Sequence, residues 1–102
     1  MKVVGVTSCP SGVAHTYMAA EALRVAGEKE GIEVFVETQG ASGTENELKP
    51  QDIKDAVCVV LSSDVKIQNE ERFKGKKVLR VEISKIVRQS DAIMKKIKDT
   101  FK

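Results

Sequence analysis

Apolar residues arrive along this chain in two rhythms, short β-branched runs and longer stretches with helical spacing. Val3-Val4-Gly5-Val6 is almost continuously apolar, the pattern of a strand covered on both faces. From Thr16 to about Glu30 the period lengthens: Ala19, Ala22, Leu23 and Ala26 share one helical face, with Glu21, Arg24 and Glu28 opposite. Gly31 ends that helix, and Ile32 to Glu37 alternates Ile, Val, Val against Glu, Phe, Glu as a second strand. Gln39 to Asn46 is small, polar and glycine-containing, and reads as loop; Lys49-Pro50-Gln51-Asp52 reads as a helix start with proline in the first turn. Val57 to Leu61 is a third, buried strand, Gln68 to Phe73 fits one or two helical turns, and Lys77 to Val81 is a fourth strand. In the tail, Ile86, Val87, Ser90, Met94, Ile97 and Phe101 fall on one helical stripe, with Lys85, Arg88, Lys95, Lys96 and Lys98 mostly outside it.

Strands alternating with helices predict an α/β fold: a single-domain three-layer sandwich over residues 1–102, with a four-stranded parallel sheet in the order 2-1-3-4. Helices cover both faces through right-handed crossovers. In such sheets ligands gather at the carboxyl ends of the strands where the strand order reverses, so residues 8 to 16 are where chemistry is expected.

Composition narrows the function. With 102 residues, 17 basic against 15 acidic side chains and 4% aromatics, the chain has neither the charge nor the stacking surfaces of a nucleic-acid binder. No stretch approaches the ~18 apolar residues of a membrane span, and no leader pattern opens the chain, so neither insertion nor export is expected. Cys9 and Cys58 lack CxxC spacing and have one histidine for company, which argues against a disulfide framework, a zinc site or any other metal, and suits a reducing cytosol. No cofactor is implied.

Ser8-Cys9-Pro10-Ser11-Gly12-Val13-Ala14-His15-Thr16 runs straight from the first strand into the first helix. Main-chain N–H groups and the positive end of a helix converge on such a connection and favour an anion. The same field lowers a thiol pKa from ~8.5 toward ~3.5 to 7.5. A thiolate facing a phosphate cradle implies phosphoryl transfer, with Cys9 as nucleophile, the amides of Ser11 to Thr16 holding the non-bridging oxygens, and His15 and Thr16 adding donors. Each residue also has a plainer reading. A free cysteine is often a small hydrophobe, as Cys58 within its Val and Leu run is taken to be; His15 can bond a helix-end carbonyl, and Gly12 can simply turn the chain. Asp64, after the third strand, lies across the crevice from Cys9 or forms a turn; Thr38, Gln39 and Gly40 rim the site or turn the chain, the plainer reading being preferred for these. Pro10, Val13 and Tyr17 offer an apolar rim for a partner, unless Val13 packs inward.

CPSGVAHT followed by YMAAEAL resembles the phosphocysteine motif of the fructose-family IIB domains of the bacterial sugar phosphotransferase system. That motif usually reads Cys-Pro-Thr-Gly-Ile/Val-Ala-His-Thr, often followed by Phe; Ser11 and Tyr17 are mild departures. The likeness continues through VETQG at 36–40, Lys49-Pro50, LSSDV around Asp64 and the turn Phe73-Lys74-Gly75-Lys76. It implies a relay: a phosphohistidine on a IIA domain passes its phosphoryl group to Cys9, which passes it to a sugar, fructose by default, held by the membrane-embedded IIC domain. Pro10 through Thr16 then form the binding loop, His15 has no firm catalytic assignment, and the domain works in the cytoplasm at the inner membrane face. A small cysteine phosphatase or arsenate-reductase-like enzyme is the main rival. It calls for an arginine six residues after the cysteine and an Asp-Pro acid loop, whereas this chain has His15 there and no Asp-Pro. A module that binds a phosphorylated partner without taking the group is the third reading, and a thiol oxidoreductase lacks a resolving cysteine near Cys9.

Overall fold

The computed structural model describes residues 1–8, 13–40 and 43–101, with backbone alone at 13 and 14. In chain order these form β1 (Lys2–Ser8), α1 (Val13–Lys29), β2 (Glu33–Gly40), β3 (Gly43–Glu45), α2 (Pro50–Asp55), β4 (Cys58–Ser62), a 3-10 turn (Glu70–Phe73), β5 (Val78–Val81) and α3 (Ile83–Phe101). The sheet runs β3-β2-β1-β4-β5. The four parallel strands stand in the expected order, but the sheet has a fifth strand, and it is antiparallel. β2 continues three residues past Glu37, and β3 pairs with that extension through Thr38↔Glu45, Gln39↔Thr44 and Gly40↔Gly43. Left-handed backbone at Gly43 (φ 102°) and Asn46 (φ 54°) shapes the return of the chain. All three residues of β3 are exposed, so the strand has no apolar face to betray it, and the segment expected as loop is a hairpin.

Because side chains alternate along a strand, the sheet sorts its residues into two cores. Val3, Val36, Cys58 and Val60 pack with Ala19, Leu23 and Ala26 of α1 and Ile83, Ile86, Met94 and Ile97 of α3. Val4, Val6, Val59 and Leu61 pack on the other face with Leu48, Ile53 of α2, Ile67 and Phe73. Each such aliphatic side chain contributes ~1.5 to 3 kcal/mol by leaving water. α1 reaches the sheet at two small residues: a Cβ on Gly27 would lie 2.2 Å from Val34 Cγ2, and one on Gly5 3.0 Å from the Val60 carbonyl. The helix then ends in a Schellman turn, the Ile32 N–H donating to the Gly27 carbonyl (2.8 Å) and Gly31 N–H to Glu28 (3.1 Å), with Gly31 at φ 71°.

One carboxylate crosses the expected alternation. Glu37 shares its face with Glu33 and Phe35 yet is 1% exposed. Its oxygens accept both guanidinium nitrogens of Arg72 (2.8 and 2.6 Å), the Leu48 N–H (2.9 Å) and Gln39 Nε2 (2.8 Å). Burial by itself pushes this carboxyl up; Arg72, the Leu48 amide and Gln39 together outweigh it and hold the group below the usual carboxylate range. The stability it contributes is therefore present above the unfolded carboxylate value of ~4.3 and is lost as pH falls through and below it. Glu37→Ala leaves a half-buried guanidinium and an amide without their acceptor, and is expected to cost about 3 kcal/mol. Urea unfolding at pH 7 measures the loss, and at pH 3 the gap between variant and parent should shrink; an equal gap at both pH values would contradict the ionic origin of the effect.

Candidate functional site

The chain leaves β1 through α1 on one face toward β2, and from the hairpin passes through α2 on the other face to β4. The carboxyl end of β1 is thus the place where the strand order reverses, the crevice position of open α/β sheets. There the two strands flanking β1 behave differently. The β1–β2 ladder continues to Ser8↔Gln39, whereas the β1–β4 ladder stops at Val6↔Leu61 and β4 goes on with β5 to Ser62↔Val81. Across the opening, Ser62 Oγ accepts from the Ser8 N–H (2.9 Å) and donates to the Ser8 carbonyl (3.0 Å). On the other side Thr7 Oγ1 donates to the Thr16 carbonyl (3.0 Å), tying the end of β1 to the first turn of α1. The two ends of the β1–α1 connection are fixed by hydroxyl groups.

Of the residues expected at the site, Cys9, Pro10, Ser11 and Gly12 lie outside the described residues, as do the side chains of Val13 and Ala14. α1 starts at Val13 with no acidic residue in its first turn, so its positive end is not neutralised by a carboxylate of its own. Thr16 is buried and its hydroxyl has no hydrogen-bond partner among the described residues; the same holds for the buried Thr38, in register with Thr7. His15 is exposed, beside Met18 of α1 and Ile83, Ser84, Val87 and Arg88 of α3. Tyr17 is exposed and its hydroxyl donates to the Glu45 carboxylate, so α1 is tethered to the hairpin.

The two remaining rim candidates have structural partners. Gln39 is buried, its amide bound to Glu37, to the Gln68 carbonyl (3.1 Å) and to the Gln68 N–H (2.9 Å), which fastens the 66–69 segment to β2. Asp64 Oδ1 accepts the Ile83 N–H (2.7 Å) and caps the first turn of α3. That engagement gives Asp64 a structural role, as a long-range cap on α3 rather than as the former of a local turn. Sequence reasoning missed Ser62 and Thr7 as supports of the loop; the available signal was a polar residue closing each of two buried apolar strands.

An open α/β sheet whose switch point meets a helix with no acidic residue in its own first turn is an arrangement that favours anions. Residues 4–96 match the family model described as the PTS system, lactose/cellobiose-specific IIB subunit. The chain is 57% identical over 96 residues to the fructose-like EIIB component 2 of Escherichia coli K12, covering 94% of this chain and 91% of that one. It is 41% identical over 95 residues to a fructose-specific EIIABC component of Bacillus subtilis, covering 93% of this chain and 15% of that much longer one. The solution structure of an Enzyme IIB subunit from E. coli K12 superposes with a TM-score of 0.91 at 37% identity, over 97% of this chain and 92% of that one. The chain belongs to the IIB family of the sugar phosphotransferase system. It is a phosphotransferase, a relay component in sugar uptake, and IIB domains work with IIA and IIC partners.

Cys58 belongs to the core, as expected. Burial pushes its thiol up to about 11, so it is protonated and inert at neutral pH. Treatment of the native protein with iodoacetamide at pH 8 followed by peptide mass mapping should leave Cys58 unmodified until denaturant is added. Modification at the rate of an unstructured thiol would place it outside the core.

Proposed function

We propose that residues 1–102 act as one IIB domain in which Cys9 carries the phosphoryl group. The observation that supports this reading is the junction of β1 and α1: the Cys9 loop joins them at the sheet's switch point, with an uncompensated helix N-terminus and the unpartnered Thr16 hydroxyl beside it. A buried hydroxyl without a partner costs ~1 to 3 kcal/mol, and a phosphoryl oxygen is an acceptor that would satisfy it. The Cys9 thiolate attacks the phosphorus of a IIA phosphohistidine. The P–N bond breaks, its electron pair returns to the imidazole, and an S–P bond forms. Amides of Pro10-to-Thr16, proline excepted, receive the charge that spreads over the non-bridging oxygens, with His15 as a further donor and Tyr17 at the rim. In the second step a sugar hydroxyl held by IIC attacks, its proton passing to solvent. The S–P bond breaks and the thiolate is restored.

Fructose is the favoured sugar, because the 57% identical relative is named fructose-like and others at 41% and 45% are named fructose-specific, against one at 42% named for 2-O-alpha-mannosyl-D-glycerate. On this reading the domain works in the cytoplasm, at the inner face of the membrane when it meets IIC, a location that fits relatives named as fused EIIABC components; no described helix is long and apolar enough to cross a membrane.

Intact-mass spectrometry after incubation with a phosphorylated IIA donor is expected to show a phosphoryl adduct on the parent protein and none on Cys9→Ala, the adduct persisting until IIC and sugar are added. Inorganic phosphate released only when Cys9 is present would point instead to a phosphatase, and absence of both adduct and release with a competent donor to a phosphate-binding module. Thr16→Val gives a second test. Because the hydroxyl has no partner among the described residues, urea stability should be unchanged or slightly higher, whereas phosphoryl uptake should slow by on the order of 100-fold, the scale for losing one such donor. Uptake at the parental rate would remove Thr16 from the loop's donors.

A further inference from the structure

We infer that Ser62 is a positioning residue for phosphoryl transfer, its hydroxyl setting the main chain from which the Cys9 loop departs. The inference rests on Cys9 being the phosphoryl carrier. Ser62 is 0% exposed at the last position of β4, on the face that carries Cys58 and Val60. At this level β4 has already parted from β1: the Ser63 N–H bonds to the Val81 carbonyl (3.0 Å) of β5, and Ser62 itself pairs with Val81. Had the β1–β4 ladder continued, main-chain groups of β4 would occupy the polar groups of Ser8, and the crevice would be closed by paired strand. A single hydroxyl takes their place, accepting from Ser8 N–H and donating to Ser8 C=O.

The substitution keeps both polar groups of Ser8 satisfied while letting the strands separate. The Ser8 carbonyl belongs to the rigid, planar peptide unit that also contains the Cys9 nitrogen, so restraining that carbonyl restrains the first covalent link of the loop. Thr7 performs the matching task at the helix end, through the Thr16 carbonyl. Ser8 and Thr16, the described residues on either side of the Cys9 segment, are thus each held through a hydroxyl group. Misplacement of a reacting group by ~1 Å can cost 10²-fold in rate, which sets the scale of what a lost anchor can do.

The test compares Ser62→Ala and Ser62→Thr with the parent by two readouts: the rate of Cys9 phosphorylation by a phosphorylated IIA donor, and the pH dependence of Cys9 alkylation by iodoacetamide, followed by peptide mass mapping. Circular dichroism and urea unfolding give the folded fraction of each. Ser62→Ala is expected to remain folded, to take the phosphoryl group at least 10-fold more slowly, and to shift its alkylation midpoint to higher pH, because a less ordered loop stabilises the thiolate less well. Ser62→Thr, which retains the hydroxyl, should recover rate and midpoint in its folded fraction. Parental rate and midpoint in folded Ser62→Ala would overturn the inference, as would a rate that falls only in proportion to the folded fraction with an unmoved midpoint. Should Ser62→Thr not fold, the alkylation midpoint of Ser62→Ala decides. If the parent itself forms no Cys9-dependent adduct, the relay reading fails on that result alone, and the role of Ser62 as its positioning residue fails with it.

Discussion

β1 is hydrogen-bonded on both sides to parallel strands that the chain reaches from opposite directions, and this double ladder is the constraint on which the remaining structure depends. Its main-chain groups are spoken for on both sides until the ladder to β4 ends at Val6↔Leu61, and on one side until Ser8↔Gln39, so the sheet opens at this end of β1. The position of the crevice is consequently fixed by strand order. Valines at 3, 4 and 6 and the close approach of Val60 and Leu23 at Gly5 hold the strand, and they do so from two cores at once.

The second core stabilises the same edge by different means. Glu37 draws Arg72, Gln39 and Leu48 together, and Gln39 in turn holds both main-chain groups of Gln68. The 66–73 segment and the chain leading into α2 are thereby fastened to β2 just below the switch point. Leu48, Ile67 and Phe73 bury apolar surface in the same segments, so this attachment combines charge with apolar packing where that of α1 and α3 is chiefly apolar. A fold of this size has little surplus apolar area, and a satisfied buried carboxylate organises several loops that short side chains could not cover.

Most of the architecture was legible because buried strands and amphipathic helices advertise themselves by period. The central strands, α1, the proline start of α2 and the stripe of α3 all follow from which residues are apolar and how they are spaced. What was hidden lay in polar residues whose partners are distant in sequence. Glu37 reads as a solvated alternate position, and its burial is explained by partners that include Arg72, 35 residues away. Asp64 reads as a turn former, but its partner is the Ile83 amide 19 residues on. β3 has three exposed residues and no pattern at all. At the site itself, the motif in residues 8 to 16 carries the expectation of a chemistry, whereas Ser62 is marked only as a polar residue closing an apolar strand, with nothing to show its partner 54 residues away.

The shape of β3 also bears on how the domain behaves among other proteins. The outer strand of any sheet offers a row of unsatisfied main-chain groups on which a foreign strand can grow. At one border of this sheet β3 is only three residues long, fully wet, begins with a glycine, and is followed directly by a left-handed asparagine. So short and bent a strand is a poor template for strand addition. A carrier that must touch one partner and then release it for another gains from this: at the switch-point end of β2 the outermost strand gives a foreign strand little to pair with, and encounters there are left to side-chain surfaces that separate readily.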